Sequence, residues 1–595
     1  MTETTEIPDP PRAAKPLTIL DVIKIVLPDG TRGTGRWDNI SEWPPDLFAA
    51  VASITERSGL YSQQIFTSYW VDGFVPDKLW IDHVRAVGDE WADTASPPSH
   101  AKALWRQLVG KYGSAPIDDS SPDALDWKRI VFDLLVIADE ACAGVGFPPP
   151  SGDEKDSQAE KQTQKERTRL NSIQYIVYED YVAWSKHSSH DQDRLGGDVL
   201  PHLPVSLCIH VPRGLLCVQP KATTPAVGCT LRSLTHNLAL LPSVKHVRTS
   251  WIPTSEARRH NDPFNILVVP FPFSIPGGSF SALERRFPAG DRVFALNPDR
   301  WMNLDPSRPN PVSSQEFADF LCGLIDQAKA ELEPVHAIVL PETAIRFELA
   351  NEVADMLAAK TGLDLFVAGV LSRQDGIRNL AGIYRFLKNK VVQRSFQSKH
   401  HRWGLDGGQI RRYHLGHVLD PHCKWWEQIN VGDRASYVSS FRSYAMLSVL
   451  VCEDLARYDP VLTVMNAIGP NLVIALLMDG PQLDYRWPGR YATALADDPG
   501  SAVLTVTSFG MVCRSRNPGE QENREIALWK EPNGRAQALK LPKGSHGLLL
   551  TLTNRLVEQF TLDGRGDGGS TMQFALGAAH GIAHPNPPPW IGLVP

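Results

Sequence analysis

The sequence predicts an α/β protein: a C-terminal part built on parallel strands, preceded by a mainly helical N-terminal part. Three observations carry this reading. From Phe264 onward, short β-branched apolar runs alternate with segments of helical period. Three of those runs stop on or just before a chemically capable side chain, at Glu342, Lys399 and Cys452. Before residue 147, apolar residues instead recur at spacings of three and four, as on a helix face.

Along the chain, the stretch up to about residue 15 is rich in Thr, Pro and Glu, lacks apolar side chains to bury, and reads as a disordered terminus. Ser41-Glu42-Trp43-Pro44-Pro45 opens a helix that Gly59 ends, with proline at its start and glycine past its end. Ser121-Pro122-Asp123 opens another, with Trp127, Ile130, Val131, Leu134 and Ala138 on one face up to Gly144. Residues 1–147 thus read as a mainly helical domain to which no motif assigns a role. Its tryptophans at 37, 43, 70, 80, 91, 105 and 127 read as core rather than as a recognition surface, because buried aromatics are the common case.

Residues 148–170 read as a linker: Pro148 to Gly152 leads into a mixed-charge stretch with almost nothing apolar to bury. An isolated helix over Glu154 to Arg167, supported by i,i+4 charge pairs, is the alternative. Residues 171–260 read as a mixed connector or lid. Tyr175 to Tyr178 is a short strand, Pro204 to Val211 and Leu215 to Val218 form a hairpin around Pro212 to Gly214, and Thr230 to Leu241 is an amphipathic helix ended before Pro242. Residues 1–260 are the part free to hold a protein partner. The linker predicts separate cores in 1–147 and 262–595.

Residues 261–595 read as the catalytic domain. Phe264 to Pro270 is its first strand, and Ser314 to Leu332 its first helix, with Phe317, Phe320, Leu321, Leu324 and Ile325 on one face. A strand from Val335 stops at Pro341, a helix covers Ala344 to Lys360, and a strand covers Leu363 to Val370. An extended run from Val391 leads to Lys399, and Ser448 to Val451 leads to Cys452. A helix near Pro460 to Ala467, strands over Leu472 to Met478, Ala502 to Thr507 and Leu548 to Leu552, and a surface strap at Pro585 to Pro589 complete the alternation.

Composition bounds the function. The 595 residues, 42% hydrophobic and 21% charged, are ordinary for a soluble globular protein. A formal net charge of −7 argues against nucleic acid as a partner, leaving room only for small basic patches. The eight cysteines, at 142, 208, 217, 229, 322, 423, 452 and 513, are widely spaced and no stretch resembles a signal peptide, which points to a reducing, cytoplasmic setting. The apolar run Phe264 to Ile275 is too short and too interrupted by proline to span a membrane.

A cysteine at a strand-to-helix turn sees backbone amides that lower its pKa and can cradle an oxyanion, whereas an isolated cysteine is more often an inert core thiol. Glu342 and Lys399 change that balance. The three residues lie 57 (399 minus 342) and 53 (452 minus 399) positions apart, each at a strand end, and strand ends of a parallel sheet converge on one crevice. Leu340-Pro341-Glu342, then Lys399, then Val451-Cys452-Glu453-Asp454, in this order and spacing, resembles the carbon-nitrogen hydrolase (nitrilase) superfamily. Phe366 to Val370 followed by Asn379, Trp426-Glu427 up to Gly432, and Asn471 to Met478 resemble further landmarks of that family. The resemblance covers about residues 262 to 595, and Cys452 to Leu455 is closest to the glutaminase members. Where the family often carries Arg-Ala-x-Glu-Asn, this chain reads Thr493 to Asp498 as Thr-Ala-Leu-Ala-Asp-Asp.

The resemblance implies a four-layer α-β-β-α sandwich and a hydrolase of non-peptide C–N bonds in an amide or nitrile, commonly a homo-oligomer and in need of no cofactor or metal. It implies Glu342 as base, Cys452 as nucleophile, Lys399 with the backbone N–H of Glu453 as oxyanion stabiliser, and Glu427 as the group orienting Lys399. Cys452 is then expected to be the most reactive thiol, at a site open to substrate. Trp403 and Trp426 are candidate pocket walls. His400, His401, His414, His417, His422 and Cys423 invite a zinc reading, but their spacing matches no standard tetrahedral site. A nitrilase-like domain with a large N-terminal extension is also similar to those that accompany reverse transcriptases in bacterial phage defence, although no polymerase Tyr-x-Asp-Asp motif occurs here. The alternative to an enzyme is therefore a binding or effector component of a larger assembly.

Overall fold

The computed structural model describes residues 16–63, 77–119, 121, 124–147, 205–252, 263–286, 290–305, 307–308, 310–374, 376–387, 389–432, 434–442, 445–516, 519 and 522–592. The linker, the Tyr175 to Tyr178 strand, the N-terminal stretch and Trp70 lie outside these residues. The contacts divide the chain into two units. One takes Met1–Cys142, Cys208–Pro212 and Cys229–Leu234, and the other takes Ala143–Leu207, Arg213–Gly228 and Thr235–Pro595.

The regular elements described in the first unit are helices, joined by turns and loops. Thr18 and Asp21 form a reciprocal capping box that starts the helix Ile19–Val26. The helix Pro44–Ser58 has proline in its first turn and ends on Gly59 at φ 63, a left-handed conformation that glycine adopts without strain. It packs against Ala124–Glu140, and Lys78–Thr94 and Ser99–Tyr112 pack on the latter. Trp80, Trp91, Trp105 and Trp127 are buried in this core, while Trp37 and Trp43 are half-buried. The carboxylate of buried Asp46 accepts the amides of Ile209 (2.9 Å) and His210, which is why Cys208–Pro212 counts with the helices. The stretch read from the sequence as one connector is therefore shared between the units.

Two expectations for that stretch are corrected. Leu216–Pro220 forms its ladder with Leu238–Pro242, while the run before Pro212 reaches it only through isolated bonds, such as the Leu207 amide to the Val218 carbonyl at 2.8 Å. Thr230 to Leu241 is not one helix but a 3-10 turn over Leu231–Leu234 followed by that strand. The Leu-Ala-Leu-Leu run buries more as a strand between Leu216–Pro220 and the helix Thr463–Ile468 than as one helix face.

The second unit is mixed α/β. One seven-stranded sheet runs, edge to edge, Lys390–Ser398, Arg378–Leu387, Leu365–Ser372, Ala337–Arg346, Phe264–Val268, Gly547–Val557 and Thr571–Ile582. A second runs Ala536–Lys540, Glu525–Lys530, Ala502–Thr507, Leu472–Leu477, Ala445–Val451, Ala435–Arg442 and Arg248–Ile252. The strands Phe264–Val268, Ala337–Arg346 and Leu365–Ser372 are parallel in the first sheet, and Ala445–Val451, Leu472–Leu477 and Ala502–Thr507 in the second, with antiparallel strands added outside each set. These central strands are buried throughout, as their continuous Val, Ile and Leu runs require.

Strand Ala337–Arg346 packs on Leu472–Leu477 and Ala502–Thr507, and Arg378–Leu387 on Ala445–Val451, so the sheets meet face to face. The helices Ser314–Glu331, capped by Ser313, and Phe347–Lys360 pack together beside the first sheet; Trp487–Asp497 packs on the second. A four-stranded sheet of Gly404–Leu405, Trp425–Glu427, Arg292–Leu296 and Phe280–Arg286 adjoins them. The proline-rich end is exposed at Pro585 and Pro587 but is anchored by buried Trp590 among Phe271, Phe317 and Phe320. All eight cysteines are free thiols. No helix among the described residues is long and apolar enough to cross a membrane.

Candidate active site

Glu342 does not lie past the end of its strand. The strand continues to Arg346, and Pro341 sits in a bulge where the register slips between Leu340 and Ile345. A bulge tolerates the missing proline N–H and re-aims the next side chain. Gly369 on the neighbouring strand makes this geometry fit: a Cβ there would lie 2.1 Å from the Pro341 carbonyl oxygen and 2.4 Å from Glu342 Cα. Thr343 follows at φ 50, a costly conformation for a β-branched residue.

Lys399 follows the edge strand Lys390–Ser398, and its own amide donates to the Asn379 carbonyl at 2.8 Å. Its fully buried ammonium donates to Glu342 Oε1 at 2.8 Å and to Glu427 Oε2 at 2.7 Å. Asn379 Nδ2 bridges the same carboxylates, 2.8 Å from Glu342 Oε1 and 2.9 Å from Glu427 Oε1. The Trp403 amide adds a bond to Glu427 Oε2 at 3.0 Å. Burying such ions costs several kcal/mol each unless their remaining donors and acceptors are satisfied. Here both oxygens of Glu427 are engaged, while Glu342 Oε2 and Asn379 Oδ1 have no hydrogen-bond partner among the described residues.

Cys452 comes from the other sheet. It ends the strand Ala445–Val451 at φ 47, a strained elbow costing about 1–3 kcal/mol that the surrounding packing must hold. The site thus joins two facing sheets rather than the strand ends of one. The turn after the thiol is a 3-10 segment, Cys452–Ala456, and not the α-helix start that the sequence suggests. Asp454 in that turn is buried and accepts the amides of His400 (3.0 Å on both oxygens) and His401 (3.1 Å), and faces His401 Nδ1 at 3.0 Å. The turn that carries the thiol is therefore bonded to the residues that follow Lys399.

Electrostatics define the resting state. Burial alone pushes Lys399 down, but Glu342, Glu427 and Cys452 outweigh it and hold the ammonium well above the ordinary lysine value. Burial raises Glu342, and the Glu427 charge adds to this against Lys399. Burial raises Cys452 well above the ordinary thiol value, with Glu342 and Glu453 reinforcing it and Lys399 and the Met478 amide opposing it. The thiol is neutral at rest and only 3% exposed, so the expectation of an open site with the most reactive thiol is corrected; Cys229 and Cys513 are the exposed ones.

The remaining sequence candidates divide. Trp403 is buried against Phe280, Phe294 and Tyr413 and serves Glu427 through its backbone. Trp426 alternates away from Glu427 along its strand and bonds Asp291 at 2.7 Å beneath the Lys424 ammonium, outside the cluster. The Glu453 carboxylate turns to Arg457 at 2.5 Å. His400 Nε2 faces the Ala435 carbonyl and His414 Nε2 the Arg516 carbonyl, and the described residues hold no group of three metal-ligating side chains. Sequence reasoning missed the clamping role of Asp454; a second acid after a nucleophile is indistinguishable from a solvated charge until its burial is known.

No protein-family model matches the chain, and no curated protein does. Among solved structures it is similar to the Nit3 protein of Saccharomyces cerevisiae, a member of branch 10 of the nitrilase superfamily, at 13% identity and a TM-score of 0.30, over 50% of this chain and 92% of that one. It is similar to a glutamine-dependent NAD+ synthetase from Acinetobacter baumannii at 12% identity and a TM-score of 0.30, over 49% of this chain and 45% of the synthetase. A carbon-nitrogen hydrolase from Helicobacter pylori G27 follows, at 13% identity and a TM-score of 0.28, over 47% and 85%.

Proposed function

We propose that this chain hydrolyses a C–N bond of a small amide or nitrile through Cys452, in a nitrilase-like four-layer α-β-β-α arrangement preceded by a mainly helical unit. The observation that carries the reading is the buried Lys399 ammonium held between Glu342 and Glu427, with Glu342 Oε2 left free. A carboxylate so placed takes the Cys452 proton as sulfur attacks the carbon, so the neutral resting thiol becomes a nucleophile only during the reaction. Lys399 and the Glu453 amide stabilise the oxygen or nitrogen that gains charge, and Glu342 returns the proton to the leaving nitrogen. From an amide, ammonia or an amine departs and leaves a thioester, which water activated by Glu342 then cleaves; a nitrile gives a thioimidate, which must first add one water activated by Glu342 before ammonia departs and the thioester is cleaved by a second. Glu427 keeps Lys399 charged and in place.

The near closure of the thiol is the one observation favouring the second reading, a catalytically retired component that binds partners in a larger assembly. Ammonia release from a panel of amides, nitriles and glutamine separates them. Turnover that Cys452→Ala abolishes is expected; no release from any member, or an undiminished rate in Cys452→Ala, gives the binding component.

A further inference from the structure

A cavity of about 420 Å3 lies at the start of helix Trp487–Asp497, lined by Arg412, Arg486, Arg490, Tyr485, Trp487 and Asn523 among others. The helix also packs on the turn Cys452–Ala456, so the cavity and the thiol-bearing turn border the same helix. Its charges are not balanced. Arg486 is neutralised by Asp479 (2.9 Å), which also accepts the Tyr413 hydroxyl at 2.6 Å. Arg412 and Arg490 are exposed and form no ion pair among the described residues, leaving two guanidinium groups facing one space. A guanidinium presents a planar fork that matches phosphate and carboxylate oxygens, and two of them match a dianion. The aromatic side is also available: Tyr485 is 73% exposed, and half-buried Trp487 meets Tyr491 edge-on at 6.4 Å.

We propose that this cavity binds a phosphate group borne on a planar ring, the phosphate between Arg412 and Arg490 and the ring against Trp487 and Tyr485. Asp479 and the Pro481 carbonyl fix Arg486 beside it, through 2.9 Å bonds. Asp479 comes two residues after the strand Leu472–Leu477, which pairs with the strand ending before Cys452, and this places the bound group at the non-reacting end of the substrate. That last step rests on the proposed hydrolase reading, whereas the anion subsite does not.

Calorimetric titration of the full chain carrying Cys452→Ala, with phenyl phosphate as probe, tests it. Phenyl phosphate should bind about tenfold more tightly than inorganic phosphate, since only the first can stack, and benzyl alcohol should not register. Arg412→Gln and Arg490→Gln should each weaken it about tenfold, a lost charge-assisted bond, and added salt should weaken it further. Both arginines are exposed, so unchanged melting temperatures certify these variants; Trp487→Ala should erase the preference over inorganic phosphate. Phenyl phosphate binding no better than benzyl alcohol, or binding indifferent to both arginines, overturns the subsite. Binding as expected, with ammonia from other amides or nitriles but none from any phosphorylated aromatic amide, keeps the subsite and overturns its place on the substrate; ammonia from no amide or nitrile at all keeps the subsite and overturns the hydrolase reading.

Discussion

Asp454 holds the His400 amide on both carboxylate oxygens at 3.0 Å, tying the turn that carries the thiol to the segment that carries the ammonium. Replacing it by alanine leaves the amides of His400 and His401 buried without acceptors, at roughly 1–3 kcal/mol for each. Asp454→Ala should therefore lose about 2–6 kcal/mol in urea unfolding, and Asp454→Asn, which keeps one acceptor, clearly less. Equal, small losses in both variants would remove the clamp.

Glu342→Gln separates acid–base chemistry from thiol acidity. The Glu342 charge raises Cys452, so removing it should lower the thiol pKa and speed alkylation at pH 8 by a small reagent. Turnover should fall about 10²–10⁴-fold in the same protein, the usual worth of a general base. Labelling and turnover that move in the same direction contradict the assignment.

Lys399→Met exposes two buried carboxylates to each other. Breaking a buried pair costs about 3–5 kcal/mol at neutral pH, so this variant should be less stable as well as inactive. Without the ammonium, Glu342 loses the charge that opposes its burial and titrates further upward, so the folded state gains protons and stability returns as pH falls from 7 to 5. Thermal unfolding at the two pH values, beside the native chain, reads this directly.

Asp46 gives the helical unit an uncommon pH dependence. Burial raises it from 3.8 to about 6, against opposition from His210 and its amides. Its raised folded value means that the stabilisation is complete below about pH 4 and is lost as pH climbs through about 6, by about 3 kcal/mol. Asp46→Asn should flatten this slope in thermal unfolding; an unchanged slope assigns it to another group.

Lys399 and Cys452 were legible in position because each directly follows an extended run, a local signal, whereas Glu342 lies inside its strand rather than past its end. The pairing of two sheets was not legible, since each central strand carries the same buried Val, Ile and Leu pattern whichever sheet it joins. Pro341 read as a stop because proline usually ends a strand; only Gly369, which sits 27 positions downstream (369 minus 342 from Glu342), lets the bulge carry the strand onward. Trp426 differs from Glu427 by one residue and so by one face of the sheet, a distinction that composition cannot make.

The clamp of Asp46 on Ile209 and His210 bears on inheritance. The chain passes from one unit to the other at 142/143, 207/208, 212/213, 228/229 and 234/235. A gene cut near codon 147 would strand a buried carboxylate without its amides and leave the C-terminal piece with segments belonging to the helices. A single cut at that point therefore does not lift the helical part out whole: segments near 208–212 and 229–234 would have to go with it.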